Sequence, residues 1–119
     1  MANRRRGEID ATIEGRRHVL VLTLGALAEL EEAFAAEDLV ALTERFSGGR
    51  LSARDITRIL GAGLRGGGAE FSDGEVARAR FGGGVPEMAR LAADLLRATF
   101  LDAGTKDSNE QGGPSDADA

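Results

Sequence analysis

The feature that most constrains this chain's fold is a change in the spacing of its apolar residues at Leu22 and Thr23. Before that point, apolar and polar side chains alternate between residues 8 and 14. The apolar ones are Ile9, Ala11 and Ile13. A period of two is typical of a half-buried strand. Glu14-Gly15 is a plausible turn, and a second β-rich run follows over residues 16–22. The sequence therefore predicts an antiparallel β-hairpin at the N-terminus.

After Thr23 the apolar residues recur with the helical spacing of three and four. Five residues are suited to the start of a helix, namely Thr23, Asp38, Ser52, Ser72 and Pro86. Asp55 and Glu75 follow the two serines by three positions, which is the spacing of a capping box. We predict an α+β fold in which the N-terminal antiparallel β-hairpin is followed by a small bundle of four to five helices.

The C-terminal residues have a different composition from the rest of the chain. Residues 102–119 hold five acidic side chains against one lysine, a net charge of −4, and they contain no side chain larger than Ala that could enter a core. Such a segment cannot bury enough apolar surface to offset the entropy lost on ordering. We expect residues 1–101 to form a single domain and residues 102–119 to form a disordered acidic tail.

The residue types needed for most enzymatic chemistry are scarce. There is no cysteine, and His18 is the single histidine, which excludes thiolate zinc sites and multi-histidine metal sites. A G-x-G-x-x-G match at residues 61–66 stands at the end of a predicted helix, whereas a dinucleotide site needs it at a helix start. The acidic group Glu29, Glu31 and Glu32 lacks the spacing of a calcium loop. We predict no enzymatic activity, no catalytic residue, no cofactor and no metal.

Charge and hydropathy restrict the partners. The net charge is −5, and the aromatic residues are five Phe with no Trp or Tyr, which argues against nucleic acid as the main partner. The basic start at Arg4, Arg5 and Arg6 supplies only three charges. No apolar run approaches the roughly 20 residues that span a bilayer. With no secretory signal recognisable, we expect a cytoplasmic location.

The last predicted helix is apolar around much of its circumference, which predicts a surface for a partner protein. The candidate partner-binding residues are Met88, Leu91, Leu95 and Phe100. The alternative is that all four belong to the core, because apolar helix faces are usually buried.

Several stretches of the chain resemble a family of small phage-tail proteins carried in gene transfer agents. They are the turn at residues 14–16, the strand-to-helix junction at 22–27, residues 29–31, and the glycine-rich helix at 52–68. The resemblance covers residues 7–100, and the family has been labelled both a tail tube protein and a tail-assembly chaperone. It implies a prophage-derived role in building a tail, with the tape-measure protein and the major tail protein as partners, and it is compatible with a homo-oligomer.

Three functions stay open at this point. A tube ring needs a large sheet closing around a lumen, and only one hairpin is visible, which favours the assembly chaperone. A structural tail component is the alternative. The second alternative is a small helix-turn-helix DNA-binding regulator, with residues 52–64 and 71–81 as its two helices.

Overall fold

The computed structural model describes residues 2–34, 39–50 and 52–102. In that part of the chain, a hairpin of β1 (Glu8–Ile13) and β2 (Arg16–Val21) precedes the helices. The helices are α1 (Leu24–Ala33), α2 (Leu39–Ser47), α3 (Ala53–Gly66), α4 (Asp73–Arg78) and α5 (Gly84–Arg97). One 3₁₀ turn, Arg4–Arg6, precedes β1, and one π-helical turn, Ala98–Asp102, follows α5. The predicted α+β class, with a hairpin followed by helices, is confirmed.

The hairpin forms as its alternation predicts. Glu14 and Gly15 both have positive φ angles, 53° and 78°, as a two-residue hairpin turn requires, and Ile13 pairs with Arg16 across them. The side chains that β1 and β2 bury are Ile9, Ala11, Ile13 and Leu20. The segment before α5 adds a short bridge to β1, in which the Gly82 N–H donates to the Thr12 carbonyl at 2.9 Å. The hairpin is therefore tied to the helical part through the chain that enters α5.

Side-chain caps fix where the helices start. Ser52 and Asp55 form a complete capping box at α3, and Ser72 and Glu75 form one at α4. The Thr23 hydroxyl accepts from the Ala26 N–H at 3.1 Å and caps α1. The prediction that α5 begins at Pro86 is wrong by two residues, since the helix begins at Gly84. Gly83 supplies the left-handed conformation (φ 91°) that turns the chain into α5.

Helix α3 lies at the centre of the core and packs against β2, α1, α4 and α5. Its glycines allow the close approach. A Cβ at Gly66 would overlap the Val21 carbonyl oxygen, and a Cβ at Gly63 would lie 2.5 Å from Leu95 Cδ2. The glycines of the G-x-G-x-x-G match therefore allow α3 to pack closely against the hairpin and α5.

The predicted acidic tail falls almost wholly outside the described residues, so its disorder and the boundary at residue 101 stay predictions. Within the described residues no helix has the length and hydropathy of a membrane span.

Candidate partner-binding surface

The four candidate residues of α5 do not share one exposed face. Leu91 and Leu95 are buried, with 2% and 0% of their surface exposed, because α5 uses this stripe to pack against α3, α2 and β1. Met88 and Phe100 are half-buried against the same core. Twelve residues separate them, which is roughly 18 Å along a helix. A partner-binding role for these four residues stays a prediction. In this conformation only Met88 and Phe100, at the two ends of the stripe, have exposed surface to offer a partner.

The N-terminal end of the stripe opens into an apolar groove, which we call the α3–α5 groove. It has a volume of about 190 Å³. Its lining residues are Ala53, Ile56 and Thr57 from α3, Ala77 from α4, and Val85 and Met88 from α5. Ala53 and Ala77 end at Cβ, which leaves space between α3 and α4 that larger side chains would fill. Val85 is 69% exposed and lines this groove together with Met88.

An arginine near the C-terminal end of α3 joins this helix to two neighbouring helices. Arg65 Nη1 donates to the Phe71 carbonyl at 2.7 Å, and Nη2 donates to Glu29 Oε1 at 2.7 Å. Nη2 also lies 3.1 Å from Asp73 Oδ1, an ion pair without the alignment of a hydrogen bond. The hydrogen bond to Glu29 raises the pKa of Arg65, against the opposing effect of its partial burial. Arg65 therefore joins α1, α3 and the start of α4, the helix that forms one wall of the groove.

A family model described as "Phage tail tube protein, GTA-gp10" matches residues 6–102, which is most of the chain. The chain belongs to this family. The match confirms the resemblance to tail proteins of gene transfer agents. Searches of curated proteins and of solved structures returned no match. Membership in the GTA-gp10 family identifies the chain as a phage-type tail protein.

Two side chains of this GTA-gp10 family member that could take part in catalysis, His18 and Glu29, contact other residues of the fold. The His18 ring is half-buried and meets Phe71 edge-on, with 5.6 Å between ring centroids. Of the acidic group on α1, Glu29 pairs with Arg65, whereas Glu31 and Glu32 are exposed. In residues 2–34, 39–50 and 52–102 there is no group of three or more potential metal-ligating side chains. The contacts of His18 and Glu29 join separate elements of the fold.

The geometry also disfavours the DNA-binding regulator. A recognition helix contacts base edges with its N-terminal residues. Helix α4 is six residues long, and its first turn carries the acidic Asp73 and Glu75. Negative side chains at that position would face the phosphates of DNA, which makes the pair of α3 and α4 a poor helix-turn-helix.

Sequence reasoning missed Val85 and the two alanines of the groove. Val85 precedes Met88 by three positions and therefore extends the same apolar stripe by one turn. That spacing was a usable signal. Ala53 and Ala77 carried none, because their role depends on how α3 and α4 pack.

Proposed function

We propose that this tail protein is an assembly chaperone that binds apolar helical segments of the tape-measure protein in the α3–α5 groove. By covering these segments in the bacterial cytoplasm, it would prevent their aggregation and present them to the major tail protein as the tube polymerises. The observation that carries the proposal is the apolar groove with Val85 left 69% exposed beside Met88. The proposal also rests on membership in a tail-protein family.

The size and chemistry of the groove suit a helix that inserts its side chains. A helix bound in a groove presents anchors at positions i, i+3 or i+4, and i+7. A volume of about 190 Å³ is close to that of the roughly 150 Å³ apolar cavity that accommodates benzene. One aromatic or branched aliphatic anchor would therefore fill it. Met88 adds a flexible, polarisable wall that tolerates different anchors, as a chaperone requires.

The topology favours a chaperone over a tube wall. A closed barrel or ring of strands needs many paired strands. The sheet formed by the described residues has two strands, and its β1 edge is partly covered by the bridge from Ile13 to Phe81. The second candidate function is a structural component of the tail tube, which the description of the family favours.

The groove is tested by co-expressing the protein with the tape-measure protein of the same genome and measuring what co-purifies. Val85→Glu places a charge in the groove, and because Val85 is exposed the variant should keep its melting temperature. We expect it to lose the tape-measure protein. Leu24→Glu is the matched control, since Leu24 is 85% exposed and lies outside the groove.

Two results would contradict the proposal. One is unchanged capture of the tape-measure protein by Val85→Glu. The other is equal loss of capture in both variants, which would indicate a general effect of added negative charge.

A further inference from the structure

Three large apolar side chains are exposed among the residues that the structure describes. Leu24, at the start of α1, is the most exposed of them at 85%, and Val40 in α2 is 48% exposed. The third, Val85, lines the α3–α5 groove. A single exposed apolar side chain needs no explanation. Leu24 is of interest because the same chain carries an apolar groove that one such side chain would fill.

Leu24 belongs to a face of α1 that is turned away from the core. Ala26 and Leu30 are buried on the opposite side of the helix. The outer face of α1, as we call it, consists of Leu24, Ala28, Glu31 and Glu32, all of them exposed. These positions are i, i+4, i+7 and i+8, which lie on one side of a helix. Neither Glu31 nor Glu32 forms an ion pair with the residues that the structure describes.

The α3–α5 groove is bordered by positive charge. Arg54 directly follows the lining residue Ala53 in α3, and Arg78 directly follows the lining residue Ala77 in α4. Both arginines are exposed, and neither has an ion-pair partner within the described part of the chain. Their guanidinium groups are therefore available to carboxylates of another molecule.

The carboxylates of α3, α4 and the first half of α5 already have partners. Asp55 pairs with Arg45, Asp73 with Arg65, Glu75 with the Ser72 N–H, and Glu87 with Arg90. They leave the two bordering arginines without an acidic partner. The border of the groove and the outer face of α1 thus carry available charges of opposite sign.

We propose that Leu24 of one copy of the protein inserts into the α3–α5 groove of a second copy. The groove volume of about 190 Å³ suits one branched aliphatic side chain. The seven residues from Leu24 to Glu31 span roughly 10 Å along the helix. When Leu24 lies in the groove, the carboxylates of the same helix face can therefore reach the arginines at its border.

This contact joins two different surfaces, so each copy offers both an anchor and a groove. One helix face in a groove buries less than the roughly 1,200–2,000 Å² of stable complexes, and the association is therefore reversible and depends on concentration. The proposal goes beyond the function proposed above, because it needs the groove and does not need the tape-measure protein. At any one groove, self-association and the binding of a tape-measure helix exclude each other.

The test is sedimentation velocity of the full chain alone, at low ionic strength, over a series of concentrations. We expect the average mass to rise with concentration. Leu24→Ser removes the anchor and Val85→Glu places a charge in the groove, so each variant should stay monomeric. Val40→Ser, outside both surfaces, is the matched control and should associate like the unsubstituted protein. All three sites are exposed, and an unchanged melting temperature reports that each variant is folded.

Mixing the two monomeric variants makes the test specific. Leu24→Ser keeps an intact groove and Val85→Glu keeps an intact anchor, so association should return in the mixture although neither variant associates alone. Glu31→Gln with Glu32→Gln should raise the dissociation constant by up to about fivefold, because exposed charge pairs each contribute little.

Four results would overturn the proposal. They are an unsubstituted protein that stays monomeric at every concentration, association of Leu24→Ser equal to that of Val40→Ser, a mixture that associates no more than its components, and a dissociation constant unchanged by the two glutamine substitutions. None of these measurements involves the tape-measure protein, so this proposal and the chaperone function can fail separately.

Discussion

The packing of α3 against the hairpin predicts that Gly66→Ala destabilises the protein. In a helix the change from Gly to Ala is favourable by at most about 1 kcal/mol. At Gly66 the new methyl group would overlap the Val21 carbonyl oxygen, a backbone atom of a strand paired with Glu8. No side-chain rotation can relieve this overlap, so the helix and strand must separate. Overpacking of this kind costs about 1–3 kcal/mol, and after a helix gain of about 1 kcal/mol the net loss is up to about 2 kcal/mol.

The assay is urea denaturation together with a thermal melt, in which each kcal/mol corresponds to about 4–8 °C in a domain of this size. The matched control is Gly74→Ala in α4, where the nearest atom to an added Cβ is Arg78 Nη1 at 3.6 Å, an ordinary contact. This variant should be stabilised by up to about 1 kcal/mol. If Gly66→Ala were stabilised as much as Gly74→Ala, the close approach of α3 to β2 would be refuted.

Three further outcomes follow from the contacts described above. Leu95→Ala, at a fully buried site, should lower the free energy of unfolding by about 2–5 kcal/mol in urea denaturation, and a loss below 1 kcal/mol would place Leu95 outside the core. Arg65→Met should lower the free energy of unfolding by about 1–2 kcal/mol, because two partly exposed hydrogen bonds of a charged group are lost. It should also speed amide hydrogen exchange in α4. Unchanged exchange in α4 would contradict the role of Arg65 in joining the helices. The hydrogen bond from Arg90 lowers the pKa of Glu87 below its ordinary value of 4.5. The Arg90–Glu87 pair therefore stabilises the folded protein fully above pH 4.5, and this stabilisation is lost as the pH falls through the lowered pKa. Glu87→Gln should flatten this part of the stability profile between neutral and acid pH, and an unchanged profile would refute the assignment.

The parts of the fold that could be predicted from the sequence are those set by neighbours in the chain. The strand alternation at residues 8–14 and the capping pairs at Ser52 and Ser72 are local signals, and each forms as predicted. The start of α5 was misplaced because Pro86 fits a first helical position, whereas Gly83 and its left-handed backbone begin the turn earlier.

The candidate surface could be predicted only in part, because it depends on contacts between distant elements. The apolar stripe of α5 was visible, yet nothing in its periodicity separates buried Leu91 and Leu95 from the half-buried Met88. That distinction depends on where α3 and β1 lie. The glycine motif of α3 was likewise visible in the sequence. Its role in close packing could not be predicted, because it depends on contact with a strand more than 40 residues earlier in the chain.

The proposed chaperone function requires that the protein takes part in tail assembly and is not retained in the wall of the tube. The most direct measurement is quantitative mass spectrometry of purified, finished particles beside assembly complexes isolated through a tag on the tape-measure protein. The chaperone proposal predicts this protein in the tape-measure complexes and its absence from finished tails. Finding it in finished tails in numbers comparable to the major tail protein would contradict the proposal and establish it as a structural component of the tube.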